Sequence, residues 1–147
     1  MSLVAAPYRT QDASDWDNLV AVSTSGTFLH TRRFIAYHGD RFVDRSLCFR
    51  DGRGQLLGIL PAAVSPDRDD LVVSHPGLTY GGLIHSGRLT GASMLEALQT
   101  ASAHFAGEGF KTLRYKAVPN IYHALPAADD LYALFRMEAR RVRCDLG

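Results

Sequence analysis

Residues 45–64 read Arg45-Ser-Leu-Cys-Phe-Arg50-Asp-Gly-Arg-Gly54-Gln-Leu-Leu-Gly-Ile-Leu60-Pro-Ala-Ala-Val64, and this stretch sets the fold class. Apolar Leu47 and Phe49 alternate with Cys48 and Arg50, the period-two pattern of a half-buried strand. Asp51-Gly-Arg-Gly54 is turn chemistry, so the chain is expected to fold back into a second strand over 55–64. Pro61 has no amide hydrogen for a ladder, which predicts an edge or a bulge there. A polar turn over 67–70 then leads into Leu71-Val-Val-Ser74, the third strand of a meander.

Upstream, residues 4–8 suit a short opening strand. Asp12, Ser14 or Asp15 can cap a helix whose inward residues Trp16, Leu19 and Val20 stand at i, i+3 and i+4. A second short helix is expected over 32–37, after the turn at Ser25-Gly26. Downstream, residues 75–82 follow no simple period. From Gly91 a helical pattern places Met94, Leu95, Leu98, Ala101, Ser102 and Phe105 on one face, with Gly107 and Gly109 as stops. Residues 112–118 alternate as a strand, Leu113, Tyr115 and Ala117 on one face and Thr112, Arg114 and Lys116 on the other, and Pro119 ends it. Asp129 can cap a last helix carrying Leu131, Leu134 and Phe135, and residues 139–146 suit a final strand with Val142 and Cys144 on one face. This order excludes a helical bundle and a plain β-sandwich. It predicts an α/β fold with a mixed sheet, an antiparallel meander first and parallel strands later, and helices on both faces.

The 147 residues suit a single domain, and 46% hydrophobic with 21% charged residues is the balance of a globular protein. Sixteen basic against fifteen acidic residues leave a net charge of +1, so no general field attracts nucleic acid or an anionic membrane. The longest nearly apolar stretch, 56–64, is interrupted by Gly58 and Pro61 and cannot span a bilayer. Met1-Ser-Leu-Val-Ala-Ala-Pro7 lacks the basic and long apolar regions of a secretory signal, so a cytoplasmic location is expected. Cys48 and Cys144 lie in strand-like stretches and read as small buried hydrophobes. There is no Gly-x-Ser-x-Gly, Walker loop, His-Glu-x-x-His or Cys-x-x-Cys, and His75 and His85 lack partners at ligand spacing, so no metal is expected.

The element order, together with Gly-Thr-Phe-Leu-His-Thr-Arg-Arg-Phe (26–34), Ser-His-Pro-Gly-Leu-Thr-Tyr-Gly-Gly (74–82), Tyr-Lys-Ala-Val-Pro-Asn-Ile-Tyr-His (115–123) and Asp-Asp-Leu-Tyr-Ala-Leu-Phe-Arg (129–136), resembles the GNAT acyltransferase superfamily. Within it, the sequence is similar to proteins related to the Fem-type peptidyltransferases. The resemblance implies transfer of an acyl group to an amine, acetyl-CoA or another acyl donor as cofactor, and a V-shaped cleft where two central parallel strands splay. It also implies a tandem pair of such domains, of which this sequence matches the first, with the donor site largely in the second. The superfamily's phosphate loop precedes the central helix, where this chain has Arg88-Leu-Thr-Gly-Ala-Ser93. Glycine lets backbone N–H groups approach a diphosphate and a helix start adds partial positive charge, so Arg88, Gly91, Ala92 and Ser93 are candidate cofactor residues. An ordinary helix start with small residues for close packing explains the same letters.

Acyl transfer to an amine needs a base, a group that polarises the acyl carbonyl, and an acid for the leaving group. His75, at the end of the third meander strand, suits a base or a loop-fixing hydrogen-bonder. Tyr80, between Thr79 and Gly81-Gly82, suits a cleft tyrosine or a half-buried aromatic. The resemblance gives Tyr132 the general-acid position, and it lies off the apolar stripe of its helix. It suits an interfacial aromatic equally. Arg114 and Lys116, sharing a strand face, and Tyr122 and His123, in the following loop, are candidate substrate residues. The two cations could instead pair with Asp129 and Asp130. Arg136, Arg140, Arg141 and Arg143 suit a solvated basic surface. Two functions stay open: an N-acetyltransferase-like or aminoacyltransferase-like domain acting on a small-molecule or peptide amine, or a non-catalytic half that needs a second GNAT-like domain or a homodimer partner. A half of that kind is expected to leave an apolar edge at its last strand.

Overall fold

The computed structural model describes residues 3–125 and 127–143. Strand β1 (Leu3–Pro7) runs antiparallel to β2 (Leu47–Asp51), which turns into antiparallel β3 (Leu56–Leu60). The Asp51 carboxylate accepts the Arg53 and Gln55 N–H groups at 2.9 and 3.0 Å, fixing the expected hairpin. At Pro61 the second strand breaks and resumes as β4 (Ala63–Val64), which pairs with β5 (Leu71–Val73). In the break the Ser46 hydroxyl accepts the Ala62 N–H at 3.1 Å, and Ala62 returns its carbonyl to Arg45 at 2.7 Å.

After β5 the chain pairs again with the same long strand, as β6 (Ile84–His85) antiparallel to β3. The sequence pattern shows no sign of this two-residue strand. Ala63 faces Val73 and Ile59 faces Ile84, so four steps on one strand meet eleven on the other. Residues 74–83 are therefore an excursion from a single strand, carrying seven residues in excess, a bulge of unusual size. Helix α3 (Ala92–Gly107) crosses over to β7 (Thr112–Arg114), which is parallel to β5. The ladder of β7 stops at Arg114, four residues before the expected end.

The strands thus form two hydrogen-bonded sheets, an antiparallel one in the order β1-β2-β3-β6 and a mixed one in the order β4-β5-β7, and helices cover both sides. On one side α1 (Ala13–Val22) and α2 (Arg32–Ala36) bury Trp16, Leu19, Val20 and Ile35 against Cys48, Ile59 and Ile84. On the other, α3 and α4 (Asp129–Arg136) bury Met94, Leu98, Phe105 and Ala133 against Leu47, Phe49 and Leu57. Each large apolar side chain so buried contributes about 1.5–3 kcal/mol. Burial, with a smaller push from Asp12, raises the Cys48 thiol to about 12, so it packs as a hydrophobe. Cys144 lies outside the described residues.

Two expectations fail at the C-terminal end. Residues 139–143 form no strand and Val142 is exposed, while 144–146 lie outside the described residues. Leu131 and Phe135, expected to face inward, are 47% and 76% exposed, and Ala133 is the buried residue. The helix is turned because Asp129 and Asp130 are drawn inward by polar partners described below, and the apolar stripe yields. Exposed apolar residues therefore gather along this end, at Ile121, Leu125, Leu131, Phe135 and Val142.

Candidate functional site

The 74–83 excursion is tied down by the segment that follows β7. Ser74 donates its N–H to the Arg114 carbonyl at 3.0 Å and accepts the Lys116 N–H on its hydroxyl at 2.8 Å. Gly81 N–H reaches the Lys116 carbonyl at 3.0 Å. The Lys116 ammonium enters the loop and donates to the carbonyls of His75 and Leu78. The Lys116 side chain is thus committed to holding this loop. Burial, then Arg143 and Arg114, lower the Lys116 pKa. Arg114 is exposed, and neither cation forms an ion pair with Asp129 or Asp130.

His75 is 2% exposed, and its Nδ1 accepts the Gly77 N–H at 3.1 Å. The hydrogen of the neutral ring is then on Nε2, and the ring fixes the loop through Nδ1. Three further histidines do the same with Nδ1: His30 for Thr27, His85 for Gly87 and His123 for Ala127. Burial first, then the charges of His38, Arg32 and Lys116, pull the His75 pKa down to about 4. A histidine held neutral costs stability as the unfolded chain begins to protonate. Its contribution is whole above about pH 6.5 and falls as pH drops toward 4, by roughly 2–3 kcal/mol. Urea midpoints measured from pH 7.5 to 4 are expected to fall less steeply in His75→Gln. An unchanged slope would show that His75 does not cause the loss.

Tyr80 and Tyr122 come together as stacked rings with centroids 5.1 Å apart, and the Tyr80 hydroxyl donates to Thr27 Oγ1 at 3.3 Å. Tyr132 is elsewhere, 45% exposed on α4, accepting from Arg136 at 2.8 Å.

At the start of α3, Arg88 and Ala92 are exposed and Gly91 takes a φ of +51°. The Gly91 N–H donates to Asp129 Oδ1 at 2.9 Å, and the Ser93 hydroxyl is closed on the Thr90 N–H and carbonyl. Asp129 does not cap its own helix. A carboxylate thus holds the positive end of α3, where a diphosphate would meet like charge. In this arrangement residues 88–93 do not fit the diphosphate of coenzyme A.

Beside that helix start lies a recess lined by Thr24, His85, His123, Asp129 and Asp130, with Leu83, Met94 and Val118 as apolar wall. Its base has room for about one water-sized group. The Tyr115 hydroxyl donates to Asp130 Oδ2 at 2.8 Å and accepts the Leu83 N–H at 2.7 Å. Burial and the Asp130 charge push the Tyr115 pKa well up, so it stays a donor. His85 is 5% exposed, and burial lowers its pKa against an opposing pull from Asp129 and Asp130. Of the sequence candidates, only His123 lines the recess. Thr24, His85, Asp129 and Asp130 were missed, and so was Tyr115 behind them. Two adjacent aspartates at a helix start opposite another helix start were the available signal. Among the described residues no group of three His, Cys, Asp or Glu side chains is placed to hold a metal ion, and no helix is long and apolar enough to cross a membrane.

No protein-family model matches the chain, and no curated protein matches it in sequence. Among solved structures it is similar to a protein assigned as a phosphinothricin N-acetyltransferase, with a TM-score of 0.51 and 11% identity over 76% of this chain and 71% of that one. The likeness is one of fold alone, an α/β fold with a mixed sheet.

Proposed function

We propose that this chain is an acyltransferase-type domain that holds the amine acceptor and depends on a second GNAT-like domain, as in Fem-type proteins, or on a second copy of itself, to complete the acyl-donor side. The observation that carries this is the Asp129 carboxylate on the Gly91 N–H, which occupies the helix start a donor diphosphate would need. The Lys116 ammonium, spent on the carbonyls of the 74–83 loop, and the exposed apolar residues Ile121, Leu125, Leu131, Phe135 and Val142 support it too. Acetyl-CoA or another acyl donor, a small-molecule or peptide amine, and a cytosolic setting complete the proposal. A self-sufficient N-acetyltransferase is the second reading, favoured by the fold likeness and by the Arg88 to Ser93 loop. A thermal-shift titration with acetyl-CoA separates them, because a ligand of the folded state raises Tm. No shift at millimolar acetyl-CoA is expected, whereas a saturable rise at micromolar ligand would establish a complete donor site in this chain.

A further inference from the structure

Thr112 gives its N–H to the Asp70 carbonyl at 3.2 Å, the Arg114 carbonyl accepts the Ser74 N–H at 3.0 Å, and the Lys116 N–H and carbonyl go to Ser74 and Gly81. These three residues spend their main chain on the β5 side. By strand alternation Leu113, Tyr115 and Ala117 turn theirs the other way. β7 is the outermost strand of its sheet, and no main-chain N–H or C=O of Leu113, Tyr115 or Ala117 is bonded to a described residue. All three are half-buried. Such a row of unpaired donors and acceptors is a template for a further strand. The outer strand of the antiparallel sheet is blunted by contrast, since Tyr8 bonds inward to Ser46 and Pro7, which has no N–H, takes an outward position.

We infer that the free edge of β7 receives an extended segment of another polypeptide in which apolar and acidic residues alternate. The two faces of the edge set that pattern. Leu113 and Tyr115 point to the side of α4, which holds the Tyr115 hydroxyl through Asp130 and carries Leu131 and Phe135 exposed. Arg114 points to the opposite side, exposed, and among the described residues it has no ion pair. Arg114 and Arg143 stand near enough to Lys116 to lower its pKa, and Arg140 and Arg141 are exposed without ion pairs, so carboxylates on the added strand meet an excess of positive charge. Charge also disfavours two other occupants. A second copy pairing edge to edge brings a further Arg114 and Lys116, and the chain's own residues 139–143 bring Arg140, Arg141 and Arg143. The inference is independent of the acyltransferase reading.

The test titrates the whole chain with synthetic peptides blocked at both ends, read by NMR and amide hydrogen exchange. The first alternates valine and glutamate over about seven residues, an ordinary strand length. A second carries lysine in place of glutamate, and a third keeps the first sequence but is N-methylated at every residue, which removes its strand donors. Saturable binding of the first peptide alone is expected, with slowed exchange at the Leu113, Tyr115 and Ala117 amides and little change at Thr112 and Arg114. The Arg114 side chain makes no hydrogen bond or ion pair, so Arg114→Glu should fold normally, bind the glutamate peptide at least tenfold more weakly and bind the lysine peptide instead. Absence of glutamate-peptide binding, equal binding of either control, or unaltered exchange at the three amides would overturn the inference. Three amides already slow in the free protein would overturn it too. Sedimentation then tells which occupant fills the edge, the chain's own 139–143 segment in a monomer or a second copy in a dimer.

Discussion

Gly81→Ala is expected to destabilise the protein by about 3–5 kcal/mol, the range reached when a buried site is overpacked beyond what local shifts can relieve. A Cβ at this position would lie 1.8 Å from the Ser74 carbonyl oxygen and 2.5 Å from its carbon. Neither backbone can retreat. Ser74 is bonded to Arg114, and Gly81 is bonded through its N–H to Lys116 and through its carbonyl to the His30 ring at 2.8 Å. Gly52 provides the control, since a Cβ there meets nothing within 4 Å and Gly52→Ala should stay within about 0.5 kcal/mol. Urea unfolding of the two variants reads the difference. A Gly81→Ala midpoint near that of Gly52→Ala would show that the excursion and the strand do not approach so closely.

Tyr115→Phe is expected to cost about 3 kcal/mol, because one deleted oxygen strands both a backbone donor and a charged acceptor. The Leu83 N–H loses its acceptor at the mouth of β6, and Asp130 loses the donor that draws it inward. Asp130→Asn in the Tyr115→Phe background removes the uncompensated charge and should recover about 1 kcal/mol, a coupling that a double-mutant cycle measures. Additive losses would mean that the hydroxyl and the carboxylate act independently.

The meander and the central helix were legible because one face of each is buried and the apolar period therefore reports it. Leu47 and Phe49 go to one side of the sheet and Cys48 to the other, as their alternation requires. Pro61 broke its strand for the reason its missing N–H predicts. The reading failed where polar contacts outweighed apolar ones. In α4 the spacing of Leu131 and Phe135 pointed inward, yet Gly91 and Tyr115 hold Asp129 and Asp130, and the helix follows them. β6 was invisible because two residues carry no period, and its pairing depends on β3, some 25 positions earlier. The recess was missed for a related reason. Thr24, His85 and Asp129 come from three separate segments, and no spacing along the chain joins them.

The seven-residue excess between β5 and β6 also bears on how the molecule opens. One short stretch supplies several of its anchors, with Arg114, Tyr115 and Lys116 as the partners for Ser74, Gly81 and Leu83, beside the bonds to Thr27 and His30. Peeling that stretch away would release the loop, the strand end and the recess wall together. Backbone amides of Gly81, Leu83 and Lys116 should therefore exchange with solvent deuterium at a common rate, as one cooperative unit, distinct from the slower amides of β2 and β3.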